Sequence, residues 1–181
     1  MNRAKAVALL TLLLCLTVVN FEIYQKERIL TQGQTVFLKL APVDPRSLLQ
    51  GDYMALRFEM ADQIAASLET ESGGAKQDRW RVLDGYAVVK LDNEKVGEFK
   101  RLYDKQPRNA DEILMRFRLR NGAIKFATNA FFFQEGHARR YESAEYGKFK
   151  VSADGELILA SLHDREFRNL ATSATGPDSA L

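Results

Sequence analysis

From Ala6 to Val19 the chain carries no charged side chain and is built mostly from Leu, Val and Ala. With Asn20 and Phe21 the run reaches roughly 16 residues, against the ~20 that cross a ~30 Å hydrocarbon core. Lys5 can snorkel at one end, and Ile23 and Tyr24 extend the apolar surface at the other, which closes the shortfall. The run therefore predicts a transmembrane anchor. Arg3 and Lys5 precede it, so the positive-inside rule keeps this end in the cytoplasm and exports the remainder. A cleavable leader wants a small-x-small site after the run, whereas Leu16-Thr17-Val18-Val19-Asn20 puts bulky Val19 there, so the anchor is expected to stay attached. Leu14 before Cys15 argues against lipidation, and Cys15 reads as a small lipid-facing hydrophobe. Helix formers continue from Glu22 to Leu30 as a stalk, with Gly33 as the stop.

The remaining length suits one domain. Net charge is only +2, from 26 basic and 24 acidic side chains, with no long basic run, so a nucleic-acid partner has no electrostatic support. A single cysteine excludes an intramolecular disulfide and a cysteine-based metal site.

Beyond the stalk the pattern is that of strands. Thr35–Leu40 alternates. Asp52–Glu59 alternates again, with Tyr53, Ala55 and Arg57 on one face and Met54, Leu56 and Phe58 on the other. A helical turn is expected over Ser47–Gln50, and a short helix followed by a loop over Asp62–Asp78. Gly85–Leu91 and Val96–Tyr103 form a hairpin about Asp92–Lys95. Glu112–Arg120 turns at Asn121-Gly122, where both positions accept positive φ, and returns over Ala123–Phe126. Phe131–Phe133 is extended, His137–Glu145 has helical composition, and Lys148–Ser152 pairs with Leu157–Leu162. The fold class expected is mainly β (α+β). After the N-terminal transmembrane helix comes a mostly antiparallel curled sheet or partly open barrel of seven or eight strands. One or two short helices accompany it, the one after Gly136 covering an opening. The expected divisions are 1–31 (anchor and stalk), 32–163 (the β-rich domain) and 164–181 (a disordered tail).

The densest polar segment is Pro42-Val43-Asp44-Pro45-Arg46-Ser47-Leu48-Leu49-Gln50-Gly51-Asp52-Tyr53. Pro45 fixes its own φ and drives Asp44 extended. Asp44 accepts hydrogen bonds from nearby backbone, and Arg46 reaches Asp44 or Asp52 as a forked ion pair. The corner reads either as a rigid salt-bridged turn or as a polar ligand or partner site built on that turn. A second candidate rim is Glu135-Gly136-His137 with Arg139, Arg140 and Glu142, for which a turn plus the solvated face of a short helix is the simpler reading. The binding candidates are therefore Asp44, Arg46, Gly51, Asp52, Tyr53, Glu135 and His137. No catalytic residue is assigned. His137 and His163 lack zinc-ligand spacing, and no Gly-rich phosphate loop occurs, so neither metal nor cofactor is expected.

Gly51-Asp52-Tyr53 with Leu56 resembles the defining motif of the GDYXXLXY family of bacterial membrane-anchored proteins. Phe58 stands where the motif ends in Tyr, so one hydroxyl is lost. The likeness extends through Phe131–Gly136 and the Lys148–Leu162 hairpin, from about Gln32 to Leu162. It implies an extracytoplasmic domain tethered to the bacterial inner membrane. Such domains are associated with a polytopic integral membrane protein and have no catalytic residues to carry over. An accessory or binding domain docking through the Asp44–Tyr53 corner is the leading expectation. The alternatives are an anchored envelope hydrolase, with Ser47 paired to Lys39, Lys90 or Lys100, and a small-ligand sensor.

Overall fold

In a computed structural model, residues 3–41, 49–50, 53–71, 82–128 and 130–172 are described. The first element is one unbroken helix, α1 (Arg3–Gln32). At 1.5 Å per residue its 30 residues span about 45 Å, more than the ~30 Å core requires. It is long and apolar enough to cross a membrane, and its most apolar window buries nothing against the protein. The hydroxyls of Thr11 and Thr17 and the amide of Asn20 donate to carbonyls four residues back, at 3.0, 2.8 and 2.8 Å, so the polar groups in the apolar segment satisfy themselves within the helix. The apolar run is short, but the helix is not, and its excess forms the stalk. Gly33 ends it by donating to Ile29 O at 2.9 Å. A Cβ here would lie 2.3 Å from that oxygen and 3.1 Å from Val151 O, so the close approach of stalk to sheet depends on glycine.

Among the described residues ten strands follow: β1 (Gln34–Lys39), β2 (Leu49–Gln50), β3 (Tyr53–Ala55), β4 (Leu83–Leu91), β5 (Gly97–Leu102), β6 (Glu112–Arg120), β7 (Ala123–Lys125), β8 (Ala130–Phe132), β9 (Tyr146–Val151) and β10 (Leu157–His163). They exceed the expected number because β2, β3 and β8 are only two or three residues each. They form three groups, β1-β9-β10, β2-β3-β8 and β5-β4-β6-β7, all paired antiparallel within the group. A parallel bridge between Phe37 and Val96 joins the first and last groups, with Phe37 N–H donating to Lys95 O at 2.9 Å. At the other flank Arg116 N–H donates to Gly155 O at 2.9 Å, tying β6 to the β9–β10 turn. The result is a curled half-barrel.

The helix that fills it is α2 (Glu59–Glu71), not the segment after Gly136. Met60, Ala61, Ile64 and Leu68 form its buried face, while Asp62, Gln63, Ala66 and Glu69 are exposed. The segment after Gly136 makes only one 3-10 turn, Ala138–Tyr141, because Tyr141 alone reaches the interior while its neighbours stay at the surface. The core is aromatic at its centre. Phe58 is fully buried, with edge-on contacts to Phe126 (5.8 Å) and Phe149 (5.3 Å).

Two further expectations are corrected. Leu49 and Gln50 are strand rather than helical turn, because they pair with Met54 and Tyr53. The domain does not end at residue 163. Asp164 is buried, His163 bridges Asn169, and Leu170 enters the core at 5% exposure, so packing outweighs the polar composition that suggested a tail. The Asn121-Gly122 turn forms as expected, at φ 53° and 72°.

Candidate functional site

Two surfaces carry the chemistry, one at each end of β1. Gln34 follows the stalk and pairs with Val151, whereas Lys39 pairs with Tyr146. Five residue steps of about 3.3 Å separate the two ends by roughly 17 Å.

At the far end, Leu40 bridges Phe58, and Ala41 N–H donates to Arg57 O at 2.8 Å. This closes the base of the excursion that holds the predicted corner. Asp44, Arg46, Gly51 and Asp52 lie outside the described residues. Tyr53 is half-buried and sits opposite Phe132, with ring centroids 5.8 Å apart. Phe132 is 73% exposed. Phe131 and Phe133 turn the other way and pack on Tyr141 at 5.1 and 5.3 Å. The β3–β8 pairing thus joins the two stretches singled out in the sequence. Glu135 and His137 follow at the rim. Glu135 is exposed, His137 is half-buried, and neither side chain makes an ion pair or hydrogen bond among the described residues. The motif's later positions are structural: Leu56 and Phe58 are 4% and 0% exposed. A hydroxyl at position 58 would lie in the core, so its loss removes no surface chemistry.

At the stalk end lies a surface that the sequence reading did not single out. Between the last turns of α1 and the half-barrel runs an open groove of about 1130 Å³, lined by Tyr24, Lys26 and Arg28 on one side and Arg108, Ile113 and Arg116 on the other. A recess of about 380 Å³ adjoins it through Lys26, Arg116 and Glu156. Alternation places Met115, Phe117 and Leu119 of β6 in the core and Arg116, Arg118 and Arg120 on the outer face.

The three arginines meet different partners. Arg116 bonds Glu156 and, at 3.2 Å, Asp84. Arg120 bonds Asp84 at 2.5 Å, and Arg118 donates to Ala127 O at 3.2 Å. The hydrogen bond from Arg120, with help from Arg116, holds the Asp84 carboxyl below the usual carboxylate range. Glu156 and then Asp84 hold the Arg116 guanidinium above its ordinary value. Lys26 Nζ reaches Glu156 only at 3.9 Å. Runs of Arg at every second position of a strand were the signal available for this ladder, but its acidic partners come from residues 84 and 156, remote in sequence.

A Ser–His pair also emerged. His163 Nδ1 lies 2.7 Å from Phe167 O, so it carries the proton, and Nε2 accepts from Ser161 Oγ at 2.9 Å. This is the hydrogen-bonding pattern of an activated nucleophile, but Ser161 and His163 are only 7% and 5% exposed and Phe37 packs edge-on to the imidazole at 5.2 Å. The pair braces the turn that follows. There Asp164 accepts from the Glu166 and Arg168 backbone N–H groups and from Arg168 Nε at 2.8 Å. Burial pushes the Asp164 carboxyl up, but these donors together outweigh it and leave the group below the carboxylate range.

The lysines that the hydrolase alternative would use are engaged. Lys39 meets Glu59 at 3.0 Å, Lys90 meets Asp111 at 3.0 Å and Lys100 meets Glu98 at 3.3 Å. The Glu59 and Asp111 carboxylates hold the Lys39 and Lys90 ammonium groups above their ordinary values, opposite to what a general base needs. Ser47 lies outside the described residues.

A model of the GDYXXLXY protein family matches residues 15–162, and the chain belongs to that family. No curated protein and no solved structure matches it.

Proposed function

We propose that this member of the GDYXXLXY family is a tethered accessory domain. Its N-terminus lies in the cytoplasm, its half-barrel stands outside the bacterial inner membrane, and its far end docks on an integral membrane partner. The observation that carries the reading is the continuity of α1. One helix runs without interruption from the exposed apolar segment into a stalk whose Ile29 is half-buried and whose Gly33 abuts Val151. A stalk wedged against β9 holds the domain at a fixed height and orientation, which suits docking on a neighbour in the same membrane better than capture of freely diffusing substrates. The exposed Phe132 beside Tyr53 supplies an apolar anchor of the kind that dominates docking energetics, and Tyr53 belongs in sequence to the Gly51-Asp52-Tyr53 motif.

The test is cross-linking from photoreactive groups at positions 53, 132 and 137 in intact membranes, followed by purification in mild detergent. One dominant membrane protein should be captured from the first two positions at native expression. Recovery of the chain alone would count against docking. A periplasmic-only reporter fused at the C-terminus should be active, and its inactivity would reverse the proposed orientation.

A further inference from the structure

We infer that the groove between the stalk and β6 binds the phosphate-bearing headgroup of a phospholipid from the adjacent membrane leaflet. The inference rests on the anchored reading of α1. Three observations converge on it.

The first is depth. Phe21 and Tyr24 line the lower part of the groove and continue the apolar surface of α1, while Lys26 and Arg28 stand above them. From Phe21 to Arg28 the helix rises about 10 Å, enough to pass through a headgroup layer of about 5–8 Å. The groove therefore opens where lipid phosphates lie.

The second is charge. The groove presents Lys26, Arg28, Arg108 and Arg116. Its carboxylates are Glu112, Asp154 and Glu156, of which Glu156 is ion-paired with Arg116 while the other two accept from neutral donors, so cations exceed carboxylates in the lining by one. Glu112 accepts from Asn109 N and Nδ2 at 3.0 and 3.2 Å, Asp154 accepts from Ser152 Oγ, and Glu156 takes Arg116. Arg28 touches only the Gln32 amide, at 3.2 Å, and Arg108 meets no carboxylate among the described residues. Two guanidiniums without a carboxylate partner among the described residues thus line one cleft. Their planar donor forks match a phosphodiester.

The third is mixed polarity. Ile113 and Leu114 flank the cationic part, as a headgroup with its glycerol and first methylenes requires. The volume, about 1130 Å³, lies above the ~300–1,000 Å³ of small-molecule pockets.

The full chain, purified in mild detergent and stripped of lipid, should retain one phosphatidylglycerol in native mass spectrometry. It should not retain diacylglycerol, which lacks the phosphate, and millimolar inorganic phosphate should not displace the bound lipid. The double variant Arg28→Gln/Arg108→Gln should weaken retention roughly tenfold or more, since charge-assisted hydrogen bonds are lost. Lys125→Gln/Arg165→Gln, which removes the same charge from exposed positions elsewhere, should leave retention intact. Equal retention of phosphatidylglycerol and diacylglycerol, or an unaffected Arg28/Arg108 variant, would overturn the inference. Displacement by inorganic phosphate would reassign the groove to a soluble anion and overturn the lipid. Alkaline carbonate extraction separates the two readings. A chain that stays in the membrane without lipid selectivity defeats only this inference, whereas a chain washed free defeats the anchor.

Discussion

At the far end of the half-barrel, Tyr53 and Phe132 meet across two short strands, and Phe132 is left 73% exposed with no charged partner of its own. At the stalk end, Lys26, Asp84, Arg116, Arg120 and Glu156 form one connected set of ion pairs drawn from α1, two strands and a turn. The far end is assembled from residues 53–58 and 130–141, tied to the chain after β1 by Leu40 and Ala41. The stalk end needs segments more than a hundred residues apart. An exposed ring such as Phe132 costs the fold little and remains available to a partner. A charge network spanning stalk and sheet fixes geometry, and only the cations left over from it are available to a ligand.

Four measurements would break or sharpen this contrast. The largest effect is expected at the base of the far end. Phe58→Ala should cost about 3–5 kcal/mol, because a fully buried ring in contact with Phe126 and Phe149 leaves a cavity that its neighbours cannot fill. Thermal unfolding followed by near-UV circular dichroism measures it. A loss under 1 kcal/mol would mean that the far end is not built on this core.

Next comes the joint at the stalk. Gly33→Val should cost about 1–3 kcal/mol, since its Cβ would lie 2.3 Å from Ile29 O and its methyls would press on Val151. The same melt reads the loss. Spin labels on Arg28 and Ser152 should also report a broader distance distribution, and an unchanged distribution would mean that the stalk is not wedged.

The charge network should contribute less. Arg116→Met should cost about 1 kcal/mol, because Arg116 and Asp84 are more than a third exposed and Glu156 nearly so, and solvent screens them. The sign with pH follows from Asp84. Arg120 and Arg116 hold its carboxyl below the ordinary value of 3.8, so the native state binds its proton less readily than the unfolded chain. The contribution is therefore complete above about pH 4 and fades as pH falls through the native value. The wild-type advantage over Arg116→Met should shrink on acidification below pH 4 and in high salt. An advantage that stays constant in both would assign the effect to packing of the arginine stem.

The smallest effect on stability is expected at the surface of the far end. Phe132→Ser should change unfolding by no more than about 0.5 kcal/mol, as befits a side chain largely in water. If the docking proposal holds, the same change abolishes cross-linking to the partner. A large stability loss would turn the exposed ring into a structural element and remove the contrast.

Much of this architecture is legible in order along the chain. Alternation in residues 53–58 assigns Met54, Leu56 and Phe58 to the interior, and the structure buries all three. Asn121-Gly122 fixes its hairpin through local φ preferences that no distant contact has to supply. The misreadings fall where local and distant forces disagree. Leu49–Gln50 looks like a turn by composition but is strand because β3 offers hydrogen-bonding partners. The polar stretch after His163 looks like a tail, yet Asp164 caps its own turn with three donors and Leu170 finds the core.

The sequence by itself determined the long apolar N-terminal helix, the strand-rich class and the motif, because each depends on periodicity or composition within a few residues. Only the tertiary structure decided which helix plugs the half-barrel, that Ser161 and His163 are buried, and that Arg28 and Arg108 line the same groove. Those outcomes depend on which remote segments meet. The free energy of such meetings comes from desolvation and ion pairing between residues that share no local pattern, so nothing short of the folded chain records them.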